Sequence, residues 1–103
     1  MTATEDLFAA LASPPRREVL RLLLDGPRTV TDIASHFAMR RPSVSEHLRV
    51  LREAGLVSER KAGRERYYQL EPQPFADLDE WLHPYERFWR ERLTALREVL
   101  EDM

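Results

Sequence analysis

A chain of 103 residues with a formal net charge of −2 has length for one small domain and one core. It contains no cysteine, which excludes disulfides, thiolate metal sites and cysteine nucleophiles together. The small net charge hides an asymmetry: residues 16–66 carry twelve basic and seven acidic side chains, whereas residues 67–103 carry four and nine.

A basic middle between acidic ends is expected where one face meets nucleic acid. Fifteen of the sixteen basic residues are Arg, whose planar fork grips phosphate or guanine with two hydrogen bonds where Lys offers a point charge. The opening MTATEDLFAAL has acids and no basic leader, so it does not read as a signal peptide. No apolar run approaches the roughly 20 residues that span a bilayer. A cytoplasmic protein with no membrane partner is expected.

Residues 4–12 read as a short helix, with Thr4 as N-cap, Glu5 and Asp6 in the first turn, and Leu7, Phe8 and Leu11 on one side. Ser13 caps a second helix that opens on Pro14 and Pro15. Val19, Leu20, Leu22, Leu23 and Leu24 make it apolar on most sides, so it is the expected core helix. Gly26-Pro27 ends it, and residues 28–30 add a brief extended segment.

Residues 31–54 read as two helices joined by a tight turn. Thr31 is the expected cap of the first, and Ile33, Ala34 and Phe37 form its apolar side. The second places Val44, Leu48 and Leu51 on one stripe, with Pro42 in its first turn and Gly55 just past its end. Such a pair is a helix-turn-helix, whose second helix can enter a DNA major groove.

After Gly55 the period changes. Residues 56–61 and 65–70 are expected as a hairpin, with Gly63 in the turn and Arg60, Lys61, Arg64 and Arg66 near the tip. A basic hairpin after a recognition helix is a wing, able to reach phosphate or a minor groove. Pro72 and Pro74 punctuate the chain before a last helix over residues 75–102. Leu78, Leu82, Tyr85, Trp89, Leu93, Leu96 and Leu100 form a heptad-like seam there, widened by Trp81, Phe88 and Val99. So small a domain has no room to bury that seam. Leu7, Phe8, Leu11, Leu78, Trp81, Leu82, Tyr85, Phe88, Trp89, Leu93, Leu96 and Leu100 are therefore expected to form a homodimer interface. Pro84 must kink or split this helix, and a kink is expected.

The fold class is thus mainly α with a small β-hairpin: a single winged helix-turn-helix domain over 1–103, ordered α-α-α-α-β-β-α, dimerising through its first and last helices. The run SVSEHLRVLREAGLVSERKAGRERYYQL closely resembles the recognition helix and wing of ArsR/SmtB-type bacterial repressors. LASPPRREVLRLL resembles the start of that family's second helix, and WL…FWRERLTALREVLE is similar to the branch that holds the SdpR-like repressors. The resemblance implies a homodimeric transcription factor that binds a two-fold-related operator in double-stranded DNA and represses it. It also implies that His47 is the family's recognition-helix histidine and that Arg40 stands where relatives carry a capping Ser. Metal-sensing members use cysteines before the recognition helix or Asp, His and Glu ligands along the last helix. Here the first location reads DIASHF, with His36 and no thiol. His83 with Asp79 and Glu86 is a weak oxygen–nitrogen grouping. No metal and no cofactor are expected, and the effector is unspecified.

The recognition helix is expected to present Arg40, Arg41, Ser43, Ser45, Glu46, His47 and Arg49, with Arg41 reading guanine and Ser43 and Glu46 reading or excluding neighbouring bases. Arg16, Arg17, Lys61, Arg64 and Arg66 are expected on phosphates. The alternative is a winged-helix module for protein contact without specific DNA binding. An enzyme is not expected: the chain has no P-loop, no GxSxG, no HExxH and no Gly-rich dinucleotide loop.

Overall fold

The structure, a computed structural model, describes residues 3–103, with side chains from Glu5 onward; the Thr4 cap falls outside the described side chains. Helices α1 (Ala3–Leu11) and α2 (Pro14–Leu22) come first, and α2 runs into a 3-10 turn, Leu23–Asp25. A two-residue strand β1 (Arg28–Thr29), then α3 (Val30–Ala34) and α4 (Arg41–Glu53), make up the middle. Strands β2 (Val57–Ala62) and β3 (Glu65–Leu70) form the wing, and α5 (Pro72–Glu101) closes the chain. The sheet is antiparallel in the order β1-β3-β2, so the brief extended segment becomes a third strand beside the hairpin.

Local chemistry places most boundaries. The Ser13 hydroxyl accepts from the Arg16 N–H, with two prolines in the opening turn of α2. Gly26, at φ 129°, turns the chain out of the helical segment. The cap of α3 is Thr29, not Thr31. Pairing of Arg28 and Thr29 with Tyr68 and Tyr67 holds Thr29 extended, so its hydroxyl accepts from the Asp32 N–H at 3.1 Å. Thr31 is left inside the first turn with its own hydroxyl free for another partner. The last turn of α3 tightens through His36 N–H to Ile33 C=O and Phe37 N–H to Ala34 C=O, leaving a short link to α4. The wing turns on two residues, Gly63 and Arg64, with Gly63 at φ 64°.

One core joins these elements: Leu7, Ala10, Val19, Leu20, Leu23, Ile33, Val44, Leu48, Leu51, Leu56, Val57 and Tyr68. The α4 stripe of Val44, Leu48 and Leu51 is its centre. Each such side chain contributes about 1.5–3 kcal/mol when fully buried. Of the residues expected at a dimer interface, Leu7 is buried in the chain's own core, and Leu11 and Leu78 are partly buried against it.

The last helix begins earlier than the sequence suggests, because Pro72 and Pro74 lie in its first turn, where a missing N–H costs nothing. It is one helix of 30 residues that runs through Pro84 without splitting. None of its residues is buried. At about 1.5 Å per residue it is roughly 45 Å long, and the molecule extends 59 × 32 × 22 Å. Its radius of gyration of 17.6 Å exceeds the roughly 13 Å of a compact chain this size, because the second half of α5 stands off the body. No helix of the described residues is long and apolar enough to cross a membrane.

Candidate nucleic-acid interface

The core side of α4 fixes what its other side presents. With Val44, Leu48 and Leu51 buried, Arg40, Arg41, Ser43, Ser45, Glu46 and Arg49 are exposed. Arg40 occupies the N-cap position in extended conformation, makes no capping hydrogen bond and is exposed. Arg41 donates to the Thr31 hydroxyl at 3.2 Å. That contact ties α3 to the start of α4 and orients Arg41.

A groove of about 270 Å³ runs between the start of α3, the start of α4 and the wing, lined by Thr29, Val30, Thr31, Arg41, Arg64, Glu65 and Arg66. It brings Arg41, Arg64 and Arg66, which are distant in sequence, to one concave surface. Among the described residues Arg40, Arg41, Arg60, Lys61 and Arg64 form no salt bridge with a carboxylate. These unpaired cations lie at the start of α4 and on the wing.

Other expected cations are engaged elsewhere. Arg16 donates through Nε to the Ala10 carbonyl at 2.8 Å and through Nη2 to the Ala9 carbonyl at 2.9 Å; Arg17 donates to the Leu11 carbonyl at 2.8 Å. Helix α1 has no basic residue in its last turn, and these two guanidiniums satisfy its terminal carbonyls instead. Arg49 is forked between Glu46 and Glu53, with Nε 2.9 Å from Glu46 Oε2 and Nη1 2.7 Å from Glu53 Oε1. The hydrogen bond from Arg49 holds the Glu46 carboxyl below its usual range, and the two carboxylates push the Arg49 pKa up. His47 is half-buried, and its Nδ1 has no hydrogen-bond partner among the described residues. On α5, His83 is exposed, with Nδ1 3.9 Å from Glu86 Oε2.

Arg66 is held by Glu59, a residue that sequence reasoning passed over. The Glu59 carboxylate accepts from Tyr68 Oη at 2.8 Å, Arg52 Nη1 at 3.0 Å and Arg66 Nη1 at 3.2 Å. The hydrogen bond from the Tyr68 hydroxyl is the first cause of its lowered pKa; burial opposes it, and the Arg66 and Arg52 guanidiniums add to the lowering. Burial and the same contact push the Tyr68 phenol up. The signal was in the strand period. Glu59 lies two residues from the buried Val57 and opposite Tyr68, so a carboxylate there faces inward and requires donors.

A second surface is apolar. Phe8 meets Trp81 edge-on at 5.2 Å between ring centroids, and Trp81 lies 5.1 Å from Tyr85. Trp81, Tyr85, Phe88, Trp89, Leu93, Leu96, Val99 and Leu100 of α5 are each 48–61% exposed, and Leu82 is half-buried. Eight such side chains on one helix exceed the few hundred Å² of contiguous apolar surface that a monomer ordinarily leaves open.

Comparison with known proteins agrees with this architecture. Residues 13–59 match the family described as "Bacterial regulatory protein, arsR family". The chain is 40% identical over 94 residues to the HTH-type transcriptional regulator Rv2034 of Mycobacterium tuberculosis, covering 91% of this chain and 85% of that protein. It is 38% identical over 77 residues to the transcriptional repressor SdpR of Bacillus subtilis, covering 75% and 86%. Among solved structures, the ArsR family transcriptional regulator RHA00566 superposes with a TM-score of 0.78 at 36% identity, covering 86% of this chain and 98% of that one. The fold, the helix-turn-helix and these relatives together show that the chain belongs to the ArsR family of winged helix-turn-helix, DNA-binding transcriptional regulators.

Proposed function

We propose that this protein is a homodimeric repressor in which α1 and α5 of two copies pack together and aim two α4 helices at a two-fold-related operator. The observation that carries the reading is the co-location of unpaired cations: Arg41 and Arg64 line one groove, with Arg40 exposed at the N-cap of α4 and Lys61 exposed on β2. Arg41 reads guanine from the start of α4, Ser43, Ser45, Glu46 and His47 sit against neighbouring bases, and Lys61 and Arg64 contact phosphate. Arg16, Arg17 and Arg49 already hold carbonyls and carboxylates, and Glu46 is held by Arg49, so each reaches DNA only by keeping or exchanging those partners.

The apolar α5 face supplies the second half of the reading. A two-fold axis through it joins identical patches, and Phe8, Trp81, Tyr85, Phe88, Trp89, Leu93, Leu96 and Leu100 are its anchors. Half-site centres then lie about one helical turn, or a multiple of it, apart. The test is selection of bound fragments from the source genome with purified protein, followed by gel shifts over a salt series. Selected fragments are expected to share an inverted repeat and to bind in a salt-sensitive way. Recovery of no common sequence, with complexes equal on any duplex, overturns the reading.

A further inference from the structure

We propose that Glu59 is a positioning residue of the DNA-binding surface: it clamps the wing to the last turn of α4 and withholds Arg52 and Arg66 from phosphate. The inference rests on the reading of that surface as the duplex-binding face. One carboxylate on β2 joins three elements, since Arg52 comes from α4 and Arg66 and Tyr68 come from β3. The Glu59 side chain is only 22% exposed. The ring of Tyr68 belongs to the core, so its hydroxyl fixes the carboxylate against the body of the domain. The anion therefore cannot follow either guanidinium outward.

Arg64 and Arg66 then differ despite sharing a hairpin. Arg64 occupies the turn with no carboxylate partner among the described residues. A phosphate that draws on Arg66 must take it from a carboxylate that is also held by Tyr68 and Arg52. The wing thus offers Arg60, Lys61 and Arg64, and Arg66 serves the angle between wing and recognition helix. A fixed angle limits which phosphates the tip can reach once α4 is seated, and this couples wing contact to correct register.

The experiment measures binding by fluorescence anisotropy over a salt series, with one genome-selected duplex and one random duplex of equal length. The proteins are wild type, Glu59→Gln, Arg66→Gln and Arg64→Gln. Each phosphate neutralised adds about 0.9 to the slope of log K against log salt. Glu59→Gln keeps an oxygen for Tyr68 and frees two arginines. Its slope is expected to steepen by about 1–2, with random-duplex affinity rising more than selected-duplex affinity. Arg66→Gln is expected to leave the slope unchanged, whereas Arg64→Gln flattens it by about 0.9. An unchanged slope in Glu59→Gln with both affinities falling together overturns the proposal, as does flattening in Arg66→Gln equal to that in Arg64→Gln. The arginine pair decides the matter even where Glu59→Gln folds poorly. Retention on heparin separates the two readings: if no duplex is ever selected the operator reading fails, while Glu59→Gln eluting at higher salt than wild type still supports the clamp and equal or lower salt refutes it.

Discussion

Replacing Trp89 by Ala is expected to separate the dimer without unfolding the subunit. Trp89 is 57% exposed and makes no ring contact among the described residues. Its truncation removes little that the subunit itself uses, and Ala favours a helix more than Trp does. A tryptophan buries about 150–250 Å² when fully covered. The exposed fraction therefore corresponds to about 85–140 Å², or about 2–3.5 kcal/mol at 25 cal/mol per Å². A two-fold interface contains the residue twice, so the loss is about 4–7 kcal/mol, or at least about a thousandfold in dissociation constant. Sedimentation equilibrium from nanomolar to high micromolar concentration reads this directly, with circular dichroism as the check on folding. A wild type that is monomeric at micromolar concentration refutes the reasoning. So does a variant that dimerises as tightly as wild type, or one that loses its thermal transition as a monomer.

Arg41→Gln is expected to cost about 1–3 kcal/mol on the selected duplex and to relax preference at one base pair, as read by competition with single-base variants of that duplex. Thr29→Ala removes the cap of α3 and is expected to cost about 1 kcal/mol in urea unfolding, whereas Thr31→Ala leaves stability nearly unchanged and weakens DNA binding through Arg41. Leu51→Ala empties a fully buried site beneath α4 and is expected to lower stability by about 2–5 kcal/mol. Glu59 has a lowered pKa in the folded state, so its contribution is present at neutral pH and is lost as acid protonates it below the ordinary glutamate range. Unfolding of Glu59→Gln followed against pH is expected to show a shallower fall in stability in that range than wild type.

The fold was legible because its elements carry strong local signals. The α4 stripe, the Ser13 cap with its two prolines, and Gly63 between two strand-like runs each point to one conformation, and each forms as expected. Boundaries shifted where a distant strand intervened. Thr29 and Thr31 are equal candidates by local chemistry, and only the pairing of β1 with β3 decides between them. The site was legible as a composition and less so as a set of partners. Arg16 and Arg17 look free in sequence, but the carbonyls that hold them belong to a helix packed alongside. Arg66 looks free until the hairpin register sets Glu59 beside it.

The charge pattern on α4 itself constrains how the helix meets a duplex. At 100° per residue, Glu46, Arg49 and Glu53 fall opposite the buried Val44, Leu48 and Leu51, on the outermost stripe. Arg49 pairs with both glutamates, and the three sum to one negative charge. A helix laid lengthwise in the groove would set that whole stripe on the groove floor between two rows of phosphates, whose field disfavours an anionic surface. On the proposed operator reading, entry by the first turn would place Arg40 and Arg41 deepest and leave Glu53 outside. Glu46, one turn in, would then face base edges, where a carboxylate finds a donor in the cytosine amino group and none in phosphate. Contact confined to one end of a helix tolerates a range of tilts. A second fixed point on the same protomer is therefore required to define the pose, and the wing, held to α4 at Arg52 through Glu59, is placed to supply it.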